Sequence, residues 1–140
     1  MELGIKTVVN KFLPFKGFVA MTVWPFIFIR KDKELKFVDK VKRHEYIHVY
    51  QQIECLLVGV VMAFLMLITG CGWWSLIPLG LFFELYAIEW IIKGLINFGN
   101  SRKAYRSISF EREAFENQEN PDWLDDRPKF YWIKYVLTSL

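Results

Sequence analysis

The sequence predicts a mainly α-helical chain with a small β element near its N-terminus, and three observations carry that prediction. An amphipathic pattern bearing both histidines of the chain runs over residues 39 to 55 and passes directly into an uncharged apolar stretch. A second apolar stretch returns after Gly70-Cys71-Gly72, which makes a helical hairpin over about residues 53 to 96. The residues ahead of the first pattern are instead rich in β-branched and aromatic side chains.

Composition agrees with a membrane-associated protein. Of 140 residues, 54% are hydrophobic and 18% aromatic, yet 24% are charged, so substantial parts lie outside lipid. The length suits a single domain over residues 1 to 140. A net charge of +3 is too small to argue for nucleic acid, and no such partner is expected. Cys55 and Cys71 form no C-x-x-C pair and read as small apolar residues. Lys6, Lys11 and Lys16 interrupt the N-terminal apolar residues and Pro14 breaks them, so no cleavable signal is read and the first membrane signal is internal.

In chain order, Gly4 to Phe15 reads as a short amphipathic helix ended by Pro14. Gly17 to Arg30 reads as one or two strands, with Pro25 forcing an edge position or a break; a membrane helix over 17 to 29 competes but is short. An edge strand just before the motif helix would accept an extended peptide through main-chain hydrogen bonds, or would simply cap the fold. Asp39 is the expected N-cap of the motif helix, one face of which runs through Val41, His44, Ile47, His48, Gln51 and Cys55. Lys40, Lys42 and Arg43 crowd its first turn, facing either anionic headgroups or solvent.

Trp73 and Trp74 at the hairpin turn suit a lipid interface. Basic residues flank both outer ends: Lys36, Lys40, Lys42 and Arg43 before, Lys93, Arg102, Lys103 and Arg106 after. The positive-inside rule then makes the protein integral to the cytoplasmic membrane, with the lipid bilayer as partner and the histidines facing the cytoplasm. A buried hairpin in a soluble protein is the alternative. Glu89 is expected to pair with Lys93, and Glu84 is left open. After the stop at Asn97 to Asn100, a polar helix is expected over Ala104 to Gln118, ended by Asn120-Pro121-Asp122, and then an interfacial helix within Pro128 to Leu140.

The chemistry lies in His44-Glu45-Tyr46-Ile47-His48, an H-E-x-x-H pattern. On a helix it sets two imidazoles one turn apart beside a carboxylate, which is half of a zinc site with Glu45 as its general base. A catalytic zinc site takes a third protein ligand. With no third histidine and isolated cysteines, that ligand should be a carboxylate, and Glu111-Arg112-Glu113-Ala114 is the best supply.

H-E-x-x-H followed by a helix bearing E-x-x-A resembles the gluzincin metallopeptidases, and it is similar to membrane-embedded endopeptidases of the CAAX-prenyl type, where the helix reads E-x-x-A-D. The run H-E-x-x-H-x-x-Q of His44, Glu45, His48 and Gln51 also looks like small membrane-associated zincin-like proteins. The resemblance covers these two short motifs. It implies a zincin-like core, Zn²⁺ as cofactor, and His44, His48 and Glu111 as metal ligands once Ala114 is laid on the family alanine, with Glu113 as runner-up. Phe115 falls where those families carry an Asp that orients a ligand, a role for which Asn117 or Glu116 could substitute. The implied activity is hydrolysis of a peptide or protein substrate near the cytoplasmic membrane face, with Glu45 catalytic and Tyr50 or Tyr105 as oxyanion donor. The other reading is a non-catalytic membrane protein with a structural zinc site or a partner-binding role. A di-iron protein would need a second E-x-x-H, for which no histidine remains.

Overall fold

The computed structural model describes residues 4–138; the expected single domain and terminal helix extend at their ends outside these residues. The chain is mainly helical, with one three-stranded sheet near its N-terminus. It divides into two compact units, one running to Tyr50 and including Glu113–Pro128, the other Gln51–Arg112 with the described residues from Lys129 on.

The first unit holds the sheet: β1 (Lys6–Asn10), β2 (Ala20–Val23) and β3 (Phe26–Arg30), in the order β1-β3-β2. β1 runs parallel to β3, from Lys6↔Phe26 to Asn10↔Arg30, and β2 runs antiparallel to it. The helix expected over Gly4 to Phe15 is therefore a strand followed by a loop. Thr7, Val8 and Val9 lose rotamer freedom in a helix, and β3 offers them a complete ladder instead. Pro25 breaks the stretch into two strands at the turn Trp24-Pro25. The strand just before the motif helix is central, so the edge positions belong to β1 and β2. Alternation buries Ala20 and Thr22 on β2 and Ile27 and Ile29 on β3, and Ile5, Phe37 and Val41 pack against that face.

Helix α1 (Asp39–Ile68) begins where the Val38 carbonyl accepts from the Lys42 N–H. Asp39 is thus inside the first turn, where its charge favours the helix dipole, rather than at the cap. The neighbouring cations are engaged within this unit. Arg43 Nε donates to the Gln118 carbonyl at 2.8 Å, Lys40 pairs with Glu119, and Lys42 lies over the Tyr46 ring.

The second unit continues α1 and adds a 3-10 segment (Gly72–Gly80), α2 (Leu81–Ile96), α3 (Ser101–Arg106), the start of α4 (Ser109–Asn117) and α6 (Ile133–Thr138); α5 (Trp123–Asp126) belongs to the first unit. Its core is Cys55, Phe82, Ile108, Phe110 and Trp132, with Phe110 contacting Phe82 and Trp132 at centroid distances of 4.6 Å. At the end of α1, Gly70 takes a positive φ of 83°, its N–H bonds the Leu67 carbonyl and the Cys71 N–H bonds Met66. This Schellman cap reverses the chain. Two stretches, Asp39–Ile68 and Gly72–Ile96, are long and apolar enough to cross a membrane. Leu57, Val61, Phe64 and Leu67 are exposed, whereas Gly59 is buried against the Pro78 carbonyl.

The polar helix expected over 104 to 118 is two helices, because Glu89 caps the second. Its carboxylate accepts from the Ser109 N–H at 2.6 Å and the Ser109 hydroxyl at 2.5 Å. Asn100 caps α3 in the same manner through the Lys103 N–H.

A Cβ added at Gly59 would lie 2.0 Å from the Pro78 oxygen, whereas one at Gly94 meets nothing within 4 Å. Gly59→Ala should lower stability by at least ~1–3 kcal/mol. Gly94→Ala should raise it by up to about 1 kcal/mol. Thermal unfolding in detergent measures both; an equally tolerated Gly59→Ala would contradict this packing.

Candidate metal centre

The helical repeat of α1 brings the two imidazoles of His44 and His48 onto one face. Their ring centroids are 4.8 Å apart at 80°, their Nε2 atoms are 3.2 Å apart, and both residues are 7% exposed. Two imidazole nitrogens this close either share one proton or turn both lone pairs to a common cation. Glu111, on the first turn of α4, is 3% exposed and accepts a 2.9 Å hydrogen bond from the Tyr86 hydroxyl on α2. His44, His48 and Glu111 each offer a ligand atom, and these atoms lie within 4.8 Å of one another. The cluster could hold a metal ion.

The flanking residues have separate tasks. Glu45 is 5% exposed, and the Thr22 hydroxyl of strand β2 lies 2.7 Å from its Oε2 and 3.2 Å from its backbone carbonyl. The edge strand therefore anchors the carboxylate that the motif sets between the histidines. Phe115 packs edge-on against the His44 ring at 4.7 Å, so this position contributes ring packing rather than a hydrogen bond. Asn117 Nδ2 donates to the Glu113 carbonyl, and Glu116 is exposed.

Glu113, the second carboxylate nominated as a ligand, is outside the cluster. It is fully buried and receives Arg127 Nε at 2.6 Å and Nη2 at 3.2 Å, while the same guanidinium lies 5.8 Å from the Tyr50 ring centroid. Tyr50 is thus beside a cation, Tyr105 packs on the second unit's core, and the tyrosine bonded to Glu111 is Tyr86. Sequence reasoning missed Tyr86 and Thr22. A hydroxyl at mid-segment in α2, between Glu84 and Glu89, was the available signal for the first; nothing local marked the second. Gln51 is fully buried and its Nε2 donates to the Phe110 carbonyl at 3.0 Å, which ties the motif's glutamine to the start of α4.

Comparison with protein-family models, curated proteins and solved structures finds no match in any of the three.

Removing one partner of a buried ion pair strands the other charge. Arg127→Ala should therefore cost about 3–5 kcal/mol of stability. Glu113→Gln should lower the unfolding midpoint without altering metal content, because the carboxylate is committed to Arg127. Chemical denaturation together with metal analysis checks both; loss of metal in Glu113→Gln would exchange the roles of Glu111 and Glu113.

Proposed function

We propose that the protein is a membrane-embedded zinc metallopeptidase that cleaves peptides near the cytoplasmic face of the membrane. The observation that carries this reading is that His44, His48 and Glu111 offer ligand atoms within 4.8 Å of one another, with Glu45 contributed by the same turn of α1 as the histidines. Two neutral imidazoles and one carboxylate are a donor set that zinc uses in catalytic sites. Two nitrogens bound at 2.0–2.1 Å and a tetrahedral angle would be roughly 3.3 Å apart, close to the 3.2 Å between the histidine Nε2 atoms.

Zinc, when bound, supplies Lewis acidity and brings the pKa of a water toward neutrality. The remaining work falls to the chain. Glu45 takes the proton of the attacking water and delivers it to the leaving amine, a transfer that needs a carboxylate held in one orientation. Thr22 supplies that hold at Oε2, so Oε1 is the oxygen assigned to proton transfer. Tyr86 fixes the Glu111 carboxylate through Oε1. Strand β2 lies at the edge of the sheet and carries Thr22, so a substrate backbone added to β2 would run beside Glu45.

Metal content of the detergent-purified full chain tests the reading. One zinc per chain is expected in the unaltered protein, with loss in His48→Ala and in Glu111→Ala. Glu45→Gln should keep zinc and lose peptide cleavage by at least about 100-fold, the scale of positioned general-base catalysis. Cleavage retained in Glu45→Gln would leave a structural zinc protein, and absence of zinc from the unaltered protein would remove the reading altogether. Tyr86→Phe should weaken zinc binding about 10–100-fold, measured by competition with a chromogenic chelator.

A further inference from the structure

The loop between β1 and β2 has a feature that neither the metal cluster nor the hairpin uses. Phe12 and Phe15 are 83% and 71% exposed, and the intervening Pro14 is buried. The rings do not project because the backbone is loose. Asn10 Oδ1 accepts from the Phe12 N–H at 2.8 Å and from the Leu13 N–H at 2.6 Å, which fixes the turn out of β1. Arg30 Nη1 donates to the Pro14 carbonyl at 3.0 Å and ties the loop tip to the end of β3. The Phe18 N–H closes onto the Phe15 carbonyl at 3.3 Å. A backbone held at three points thus turns Pro14 inward and two phenyl rings outward.

Charge narrows what can cover those rings. Lys11 and Lys16 flank them and are exposed, and from Leu3 to Lys31 the chain carries five cations and no carboxylate. The cations at the start of α1 are engaged with Gln118, Glu119 and Tyr46, but these two lysines stand beside the exposed rings. Aromatic rings alternating with lysines suit the boundary between anionic headgroups and acyl chains. The same chain carries two apolar stretches long enough to cross a membrane.

We propose that the loop formed by residues 11 to 16 is a lipid-docking element, seating Phe12 and Phe15 among anionic headgroups while Lys11 and Lys16 face the phosphates. It gives the first unit a membrane contact separate from the apolar hairpin. The inference rests on the bilayer reading of that hairpin, and the test separates the two.

An environment-sensitive fluorescent amino acid is introduced in place of Phe12, of Phe15 or, as a hairpin reference, of the exposed Leu65. Each full-length variant is reconstituted in nanodiscs of phosphatidylcholine with or without phosphatidylserine, and quenching by doxyl-labelled lipid is read. Quenching is expected at all three positions, with that at 12 and 15 stronger when phosphatidylserine is present. It should fall by about half or more at position 12 when Lys11→Glu and Lys16→Glu are combined. Quenching at 65 but not at 12 or 15 overturns the loop proposal and leaves the hairpin in lipid. A blue shift at 12 that follows protein concentration rather than lipid quenching assigns the loop to a second copy of the chain and equally overturns it. Absence of quenching at every position removes both the bilayer reading and the loop proposal.

Discussion

A carboxylate taken out of water must receive hydrogen bonds or an opposite charge, and that requirement organises much of this protein. Glu45, Glu54, Glu111 and Glu113 are buried and Glu89 is partly buried, and each of these five has an identified donor. These are, for Glu45, Glu54, Glu89, Glu111 and Glu113 in turn, the Thr22 hydroxyl, the Phe130 N–H, Ser109, the Tyr86 hydroxyl and the Arg127 guanidinium. Every donor lies far from its acceptor in sequence, so satisfying the carboxylates also ties distant segments together. The Phe130 N–H reaches Glu54 from a residue with φ of 57°, a conformation that only a few per cent of non-glycine residues adopt.

Helix α1 carries two kinds of surface in one unbroken rod. Its first part buries His44, Glu45, Ile47, His48, Val49, Gln51 and Gln52, so polar groups occupy a protein interior. From Leu57 onward most of its apolar side chains are exposed and the polar groups are gone. At 1.5 Å per residue the 30 residues reach about 45 Å. A helix has its backbone hydrogen bonds satisfied internally, which is why one element can pass from a polar site into an apolar run without a break.

Much of the architecture was legible in the residues. Both histidines stand four apart, the apolar runs have membrane length, and Gly70 ends the first of them; each is a local feature that helical periodicity converts directly into position. The legible part stopped where local preference competed with pairing. Residues 4 to 15 have the apolar spacing of a short helix, but their β-branched run was captured by β3. The polar segment near residue 107 is broken by Glu89, a residue from another helix. Ile29 and Thr22 read as strand residues, yet which strand lies at the edge depends on β1 inserting parallel to β3, and a short pattern does not encode that order.

Within the site the division is sharper. The sequence by itself determined that His44, Glu45 and His48 share one turn of helix, because a spacing of four is a covalent constraint once the segment is helical. It also made the carboxylates of Glu111 and Glu113 the best supply of a third donor. Tertiary structure alone decided that Glu111 joins the cluster while Glu113, two residues away, turns to Arg127, since residues two apart on a helix point in different directions. It likewise chose Thr22 and Tyr86 as the hydroxyls on Glu45 and Glu111. Those pairings span 23 and 25 residues, and only the packed chain brings such groups within hydrogen-bond reach.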